Sequence, residues 1–148
     1  MSILQGATTS FKVELLQAVH NFGPTSPNTF KVALYTASAN INADTTAYST
    51  TNEVTGTGYT AGGNTLTIST SPTSGNNSSN IPTAYISFSN TSWTNASFTA
   101  RAALIYNSSQ SNKSVAVLDF GADKTVSNDT FQIIFPTPDA NSAIVRIS

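Results

Sequence analysis

The sequence contains no cysteine, and that one absence removes disulfide bridges, thiolate nucleophiles and cysteine-based zinc sites together. Charge is nearly as scarce. Asp, Glu, Lys and Arg make up 9% of the chain, against about a quarter of an average soluble protein. Six bases and seven acids leave a net charge of −1, and the bases stand singly, so no basic patch exists to neutralise phosphates. Nucleic acid is therefore not an expected partner. There is no apolar run long enough to cross a membrane, and the first residues lack the basic and apolar regions of a signal peptide. Neither membrane insertion nor secretion is expected.

Ser, Thr, Asn and Gly occupy the places that Lys and Glu would normally fill. That balance suits a β-rich protein with a hydroxyl and amide surface, and equally a protein whose surface is packed into an assembly, because charge is depleted at interface cores. A length of 148 residues with 39% apolar content is enough for one domain to bury a core without covalent staples.

The chain is organised around residues 98–121, FTARAALIYNSSQSNKSVAVLDFG. Two apolar runs, 98–106 and 114–120, flank a polar loop, and neither face of either run is strongly polar. The pattern predicts a hairpin covered on both sides. The register that keeps apolar residues together pairs Leu104 with Ala116, Ala102 with Leu118 and Ile105 with Val115. It sets Arg101 opposite Asp119 as a structural ion pair.

Ahead of the hairpin, residues 1–7 read as a short arm carrying apolar Ile3 and Leu4. Residues 8–20 read as the one helix: Thr8, Thr9 and Ser10 offer an N-cap, and Phe11, Leu15, Ala18 and Val19 recur at helical spacing. Asn21-Phe22-Gly23-Pro24 stops it. Strands are expected over 29–36, 64–69, 83–89, 130–135 and 143–147, with loops over 37–48 (Ile41 tucked inward) and 71–80, and a turn over 90–95 holding Trp93. About seven strands at this spacing predict a mostly-β fold, an antiparallel β-sandwich or jelly-roll-like domain with one N-terminal α-helix. No composition shift or fixed-period repeat divides residues 8–148, so they read as a single domain.

The candidate sites are weak as chemistry. Gly56, Gly58, Gly62 and Gly63 cluster before a strand, with no Lys-Ser/Thr and no helix following, so they read as structural turns and not as a phosphate cradle. His20 is the only histidine; no strained serine elbow accompanies it, and its place in the last helical turn suits carbonyl capping. Asp123 and Asp129 read as turn residues in a polar loop, and the Asp119-Phe120-Gly121 match to a kinase tripeptide is coincidental. No calcium-loop spacing occurs, and no cofactor or metal is implied. Trp93 with Tyr48, Tyr59 and Tyr106 could form a sugar-stacking platform, although aromatics at strand ends more often plug cores. Asn77 and Asn107 stand in Asn-x-Ser sequons, which matter only in a secreted eukaryotic chain.

The segments FKVELLQAVHNF, TFKVALYT, TAYSTTNEVTGTGYTAGGNTL, FTARAALIYNSS and NKSVAVLDFGADKTV, in this order, resemble a family of small proteins encoded in tailed-bacteriophage genomes. The resemblance covers about residues 11–136 and transfers no catalytic residue. It implies a non-enzymatic structural component located in the virion, contacting copies of itself and other virion proteins. Capsid decoration or cementing is the favoured role within that class, and a tail, neck, baseplate or fibre component is the alternative. A carbohydrate-binding module that recognises a host-surface glycan is the alternative of another class. It is discriminated by whether Trp93 and the tyrosines are exposed together. In the leading reading the arm, through Ile3 and Leu4, is the expected assembly contact.

Overall fold

A computed structural model describes residues 2–148. In chain order the elements are β1 (Gly6–Ala7), α1 (Thr9–Leu16), β2 (Phe30–Tyr35), β3 (Asn64–Leu66), β4 (Ile68–Asn76), β5 (Pro82–Phe88), β6 (Thr91–Asn107), β7 (Lys113–Ile133) and β8 (Val145–Ile147). The strands build two antiparallel sheets, one ordered β1-β7-β6-β2-β3 and the other β4-β5-β8. The chain changes sheet at Thr67: Leu66 pairs with Phe30 in the first sheet, and Ile68 pairs with Phe88 in the second. Phe30, Val32 and Leu34 meet Ile86, Phe88 and the buried Phe11 between the layers. The fold is the expected mostly-β sandwich with one short N-terminal helix.

The hairpin at the centre is covered on both faces, as its two-sided apolar pattern requires. One face of β6 and β7 enters the inter-sheet core through Ala103, Ile105 and Val115. The opposite face carries Ala102, Leu104, Tyr106 and Val117, roofed by Ala39, Ile41 and Tyr48 from the long loop after β2. The register differs from expectation by a bulge. Near the turn Tyr106 pairs with Ser114, but Ile105 then pairs with Ala116, Leu104 with Val117 and Ala103 with Leu118. The extra residue, Val115, moves Ala116 and Leu118 from the expected face with Ala102 and Leu104 to the face of Ala103 and Ile105, and puts Val117 with Leu104 instead. Both faces are apolar, so burial does not favour one register over the other.

Four other expectations are corrected. The helix ends at Leu16, because Ala18 turns back with φ 58° and sends His20 inward. Residues 71–76 are strand and not loop: Thr73 pairs with Tyr85 and Ser74 with Ala84, so neighbouring β5 supplies the order that hydroxyl-rich composition hides. Trp93 is not in a turn; it pairs with Phe131 inside β6–β7 and is buried. Asp123 and Asp129 lie in β7, not in a loop, because the hairpin runs far past its apolar part as a polar ribbon. The arm, too, is less separate than expected. Gly6 and Ala7 pair with Val117 and Ala116, and Ile3 bridges to Ile41.

Candidate functional site

Two buried polar clusters and one surface groove are the places where this fold gathers chemistry. The first cluster sits beneath α1, where Thr8 caps the helix by accepting from the Phe11 N–H. That cap turns Glu14 inward. Its Oε1 accepts from Lys113 Nζ at 2.7 Å, and its Oε2 lies 2.8 Å from His20 Nε2. The Asn107 amide nitrogen donates to His20 Nδ1 at 3.0 Å, so Nε2 carries the proton given to Glu14. Burial pushes the Glu14 carboxyl up, but the Lys113 and His20 hydrogen bonds outweigh it and hold the group below its ordinary value. Both ring nitrogens of His20 are engaged and its side chain is 0% exposed, so the imidazole reaches no substrate. It does not cap carbonyls either; it ties the end of α1 to β6.

The second cluster surrounds Glu53. Its Oε1 accepts from Tyr59 Oη and from the Gly62 N–H, each at 2.7 Å, and its Oε2 accepts from Tyr48 Oη at 2.7 Å. Tyr59 Oη accepts from the Leu34 N–H, and Tyr106 Oη donates to the Gly62 carbonyl at 2.7 Å. The Gly62 peptide is thus gripped at both ends. Burial, reinforced by the Glu53 charge, pushes Tyr48 and Tyr59 well above the ordinary phenol range and Tyr106 up to about 12. Phenols this reluctant to ionise are hydrogen-bond donors and not bases.

These clusters take in His20, Tyr48, Tyr59, Tyr106 and Gly62 among the residues singled out from sequence; the others lie outside them. A Cβ on Gly63, at φ 68°, would fall 1.8 Å from the Val32 carbonyl oxygen, so only glycine lets the turn lie on β2. Gly56 and Gly58 lie against the β6 backbone at Ser97 and Ala96. No phosphate-binding geometry arises, since a strand follows. Arg101 does not meet Asp119. Its guanidinium donates to Asp123 at 3.1 Å, while Asp119 accepts from the Gly121 N–H at 2.8 Å. The reason is twofold. The bulge near the turn pairs Asp119 with Ala102 and so puts it on the opposite sheet face from Arg101, and a larger irregularity, with Ala100 paired to Lys124, leaves residues 120–123 opposite Arg101 alone. Trp93 and the tyrosines form no shared platform. Trp93 packs near Tyr59 and Phe131, whereas Tyr48 stacks on Tyr106 at 4.6 Å in the other core. Among the described residues no three of His, Asp and Glu gather as a metal ligand set, and no helix is long and apolar enough to cross a membrane.

The groove was not foreseen. About 670 Å³ in volume, it opens between β1, the edge of the larger sheet, and β8, the edge of the smaller, with α1 along its side. Phe11, Leu15, Ala116, Leu118, Ile144 and Val145 give it an apolar lining. Leu16, 92% exposed, and Ile147, 59% exposed, stand at its margin. Helical spacing already turns Leu16 away from the face of Phe11, Leu15 and Ala18; the groove beside it arises from β1 and β8, which tertiary structure brings alongside α1. Of the two arm residues, Ile3 packs against the molecule's own second core, and Leu4 remains 61% exposed. Comparison with family models, with curated proteins and with solved structures found no match to this chain.

Proposed function

We propose that the protein is a non-enzymatic structural component of a tailed-phage virion, acting by docking to neighbouring proteins, with capsid decoration or cementing as its role. The observation that carries a docking function is the grouping of Leu16 and Ile147, both largely exposed, around an apolar groove. Exposed apolar side chains collected at a concave site mark interaction surfaces. The titratable groups that could run chemistry, Glu14, His20 and Glu53, are instead consumed in buried ties within the fold. The virion setting comes from the resemblance of residues 11–136 to tailed-phage products. Leu4 stays available as an assembly contact, while Ile3 serves the fold. The stacking platform expected for a sugar-binding role does not form, since Trp93 and Tyr106 are buried.

Electron microscopy of the intact particle tests the proposal. Density for this chain at regular positions on the capsid shell is the expected result, reduced by Leu4→Ser or Leu16→Ser in chains that remain folded. Density at the tail or neck would favour the alternative position, and absence from purified particles would sink the virion reading.

A further inference from the structure

We infer that the groove between β1 and β8 receives an extended polypeptide segment of a partner protein, one carrying an acidic residue among apolar ones. This rests on the docking function proposed above and names the chemistry of what docks. β1 and β8 each have a strand neighbour on one side only. Their other edges flank the groove and offer backbone N–H and C=O groups that an incoming strand completes. A small amphiphile could occupy the apolar floor but would leave those edges unpaired.

The side chains then select among peptides. Alternate residues of an added strand point to one face, where the partly exposed Leu15, Ile144 and Val145 would receive apolar ones. The charged side chains lining the groove, Lys12 and Arg146, are both basic and both exposed. Among the described residues neither is in a salt bridge with an acidic side chain; Arg146 donates to the Asn141 carbonyl. Two cations without acidic partners beside an apolar floor complement a segment with a carboxylate and disfavour one with a lysine.

The test is an NMR titration of the isotope-labelled full chain with four probes. These are a blocked peptide of about five residues alternating valine and glutamate, its lysine counterpart, its N-methylated form, and laurate. The glutamate peptide should shift the amides of Gly6, Ala7 and residues 145–147. The lysine peptide should bind roughly tenfold more weakly or worse, and N-methylation, which blocks strand pairing, should abolish binding. The Lys12→Glu, Arg146→Glu double variant, with an otherwise unchanged spectrum, should reverse the charge preference. Equal binding of both peptides, binding of laurate alone, or no shift with any peptide overturns the inference. So does a groove closed by a second copy, seen as a dimer that Leu16→Ser dissolves. If the chain is found in the particle while these titrations fail, the groove inference falls and the virion reading stands; peptide binding by a chain absent from the particle gives the converse.

Discussion

Glu14 and Glu53 are both buried carboxylates, yet their surroundings differ in kind. Glu14 meets a lysine and an imidazole, and the lysine comes from 99 residues away on β7. Glu53 meets two phenols and a backbone N–H, all drawn from positions five, six and nine residues distant. Each carboxylate loses hydration on folding and needs hydrogen bonds to offset that cost. The first therefore works as a long-range tie that seats α1 on the large sheet. The second works as a local knot that shapes the loop lying over β2. One is compensated by charge, the other by neutral donors, and they should fail under different insults.

Removing the carboxylates one at a time gives the largest effect. Glu53→Ala leaves Tyr48 Oη and the Gly62 N–H without their acceptor and costs Tyr59 a partner. The expected loss is about 3–5 kcal/mol, measured by urea denaturation. Glu14→Ala should cost less, about 1–3 kcal/mol, because the Lys113 side chain is 39% exposed and recovers hydration. Equal losses would show that the distinction between knot and tie has no energetic content.

Neither carboxylate was legible in the sequence, and the reason is physical. The hairpin, the loop with Ile41 inward, strand β2 and the glycine turns could all be read, because apolar alternation and glycine's access to positive φ are local signals. Glu14, three residues after Phe11, falls on the inward helix face, where a carboxylate is not expected, and only Lys113 and His20, brought in by tertiary structure, offset the cost of its burial. The hairpin register failed for a related reason. Pairing rules fix faces only where one face is polar. Here both are apolar, so the extra residue Val115 near the turn moves Ala116 and Leu118 to the face of Ile105 and Ala103, and the irregularity at residues 120–123 then changes which charges meet. Polar strands such as β4 and the far half of β7 carry no periodic signal, so their order is legible only from the strands beside them.

Proton linkage separates the two carboxylate sites more finely. The Glu14 carboxyl is held below its ordinary 4.5 by its partners despite burial. A group acidified by folding contributes its stability in full above that ordinary value and loses it as pH falls through the native value. Burial, with repulsion from Glu53, raises Tyr106 from 10.0 to about 12. A phenol raised in this way stabilises the fold fully below pH 10.0, and the contribution fades as pH climbs towards 12. Melting temperature plotted against pH should therefore fall at both ends. Glu14→Gln should flatten the acid limb and leave the alkaline one, while Tyr106→Phe should soften the alkaline limb and leave the acid one. A single variant flattening both limbs would mean that the two sites melt as one unit.

The smallest expected effect belongs to a third charged pair, which lies outside both buried sites. Arg101 reaches Asp123 across the bulge, with the two side chains 35% and 53% exposed. At such exposure Coulomb attraction is weak, each long side chain loses entropy in holding the pair, and salt screens what remains. A double-mutant cycle through Arg101→Ala and Asp123→Ala should give a coupling of about 0.2–1 kcal/mol at low ionic strength, shrinking towards zero in about 1 M salt. The matching cycle between Arg101 and Asp119 should give none, since Asp119 is spent on the Gly121 N–H. Coupling of Arg101 to Asp119 but not to Asp123 would mean that the bulge closes in solution and the straight register prevails. Under the bulged register the cycle isolates what an exposed ion pair contributes here, and so sets the scale against which the buried Lys113–Glu14 tie is judged.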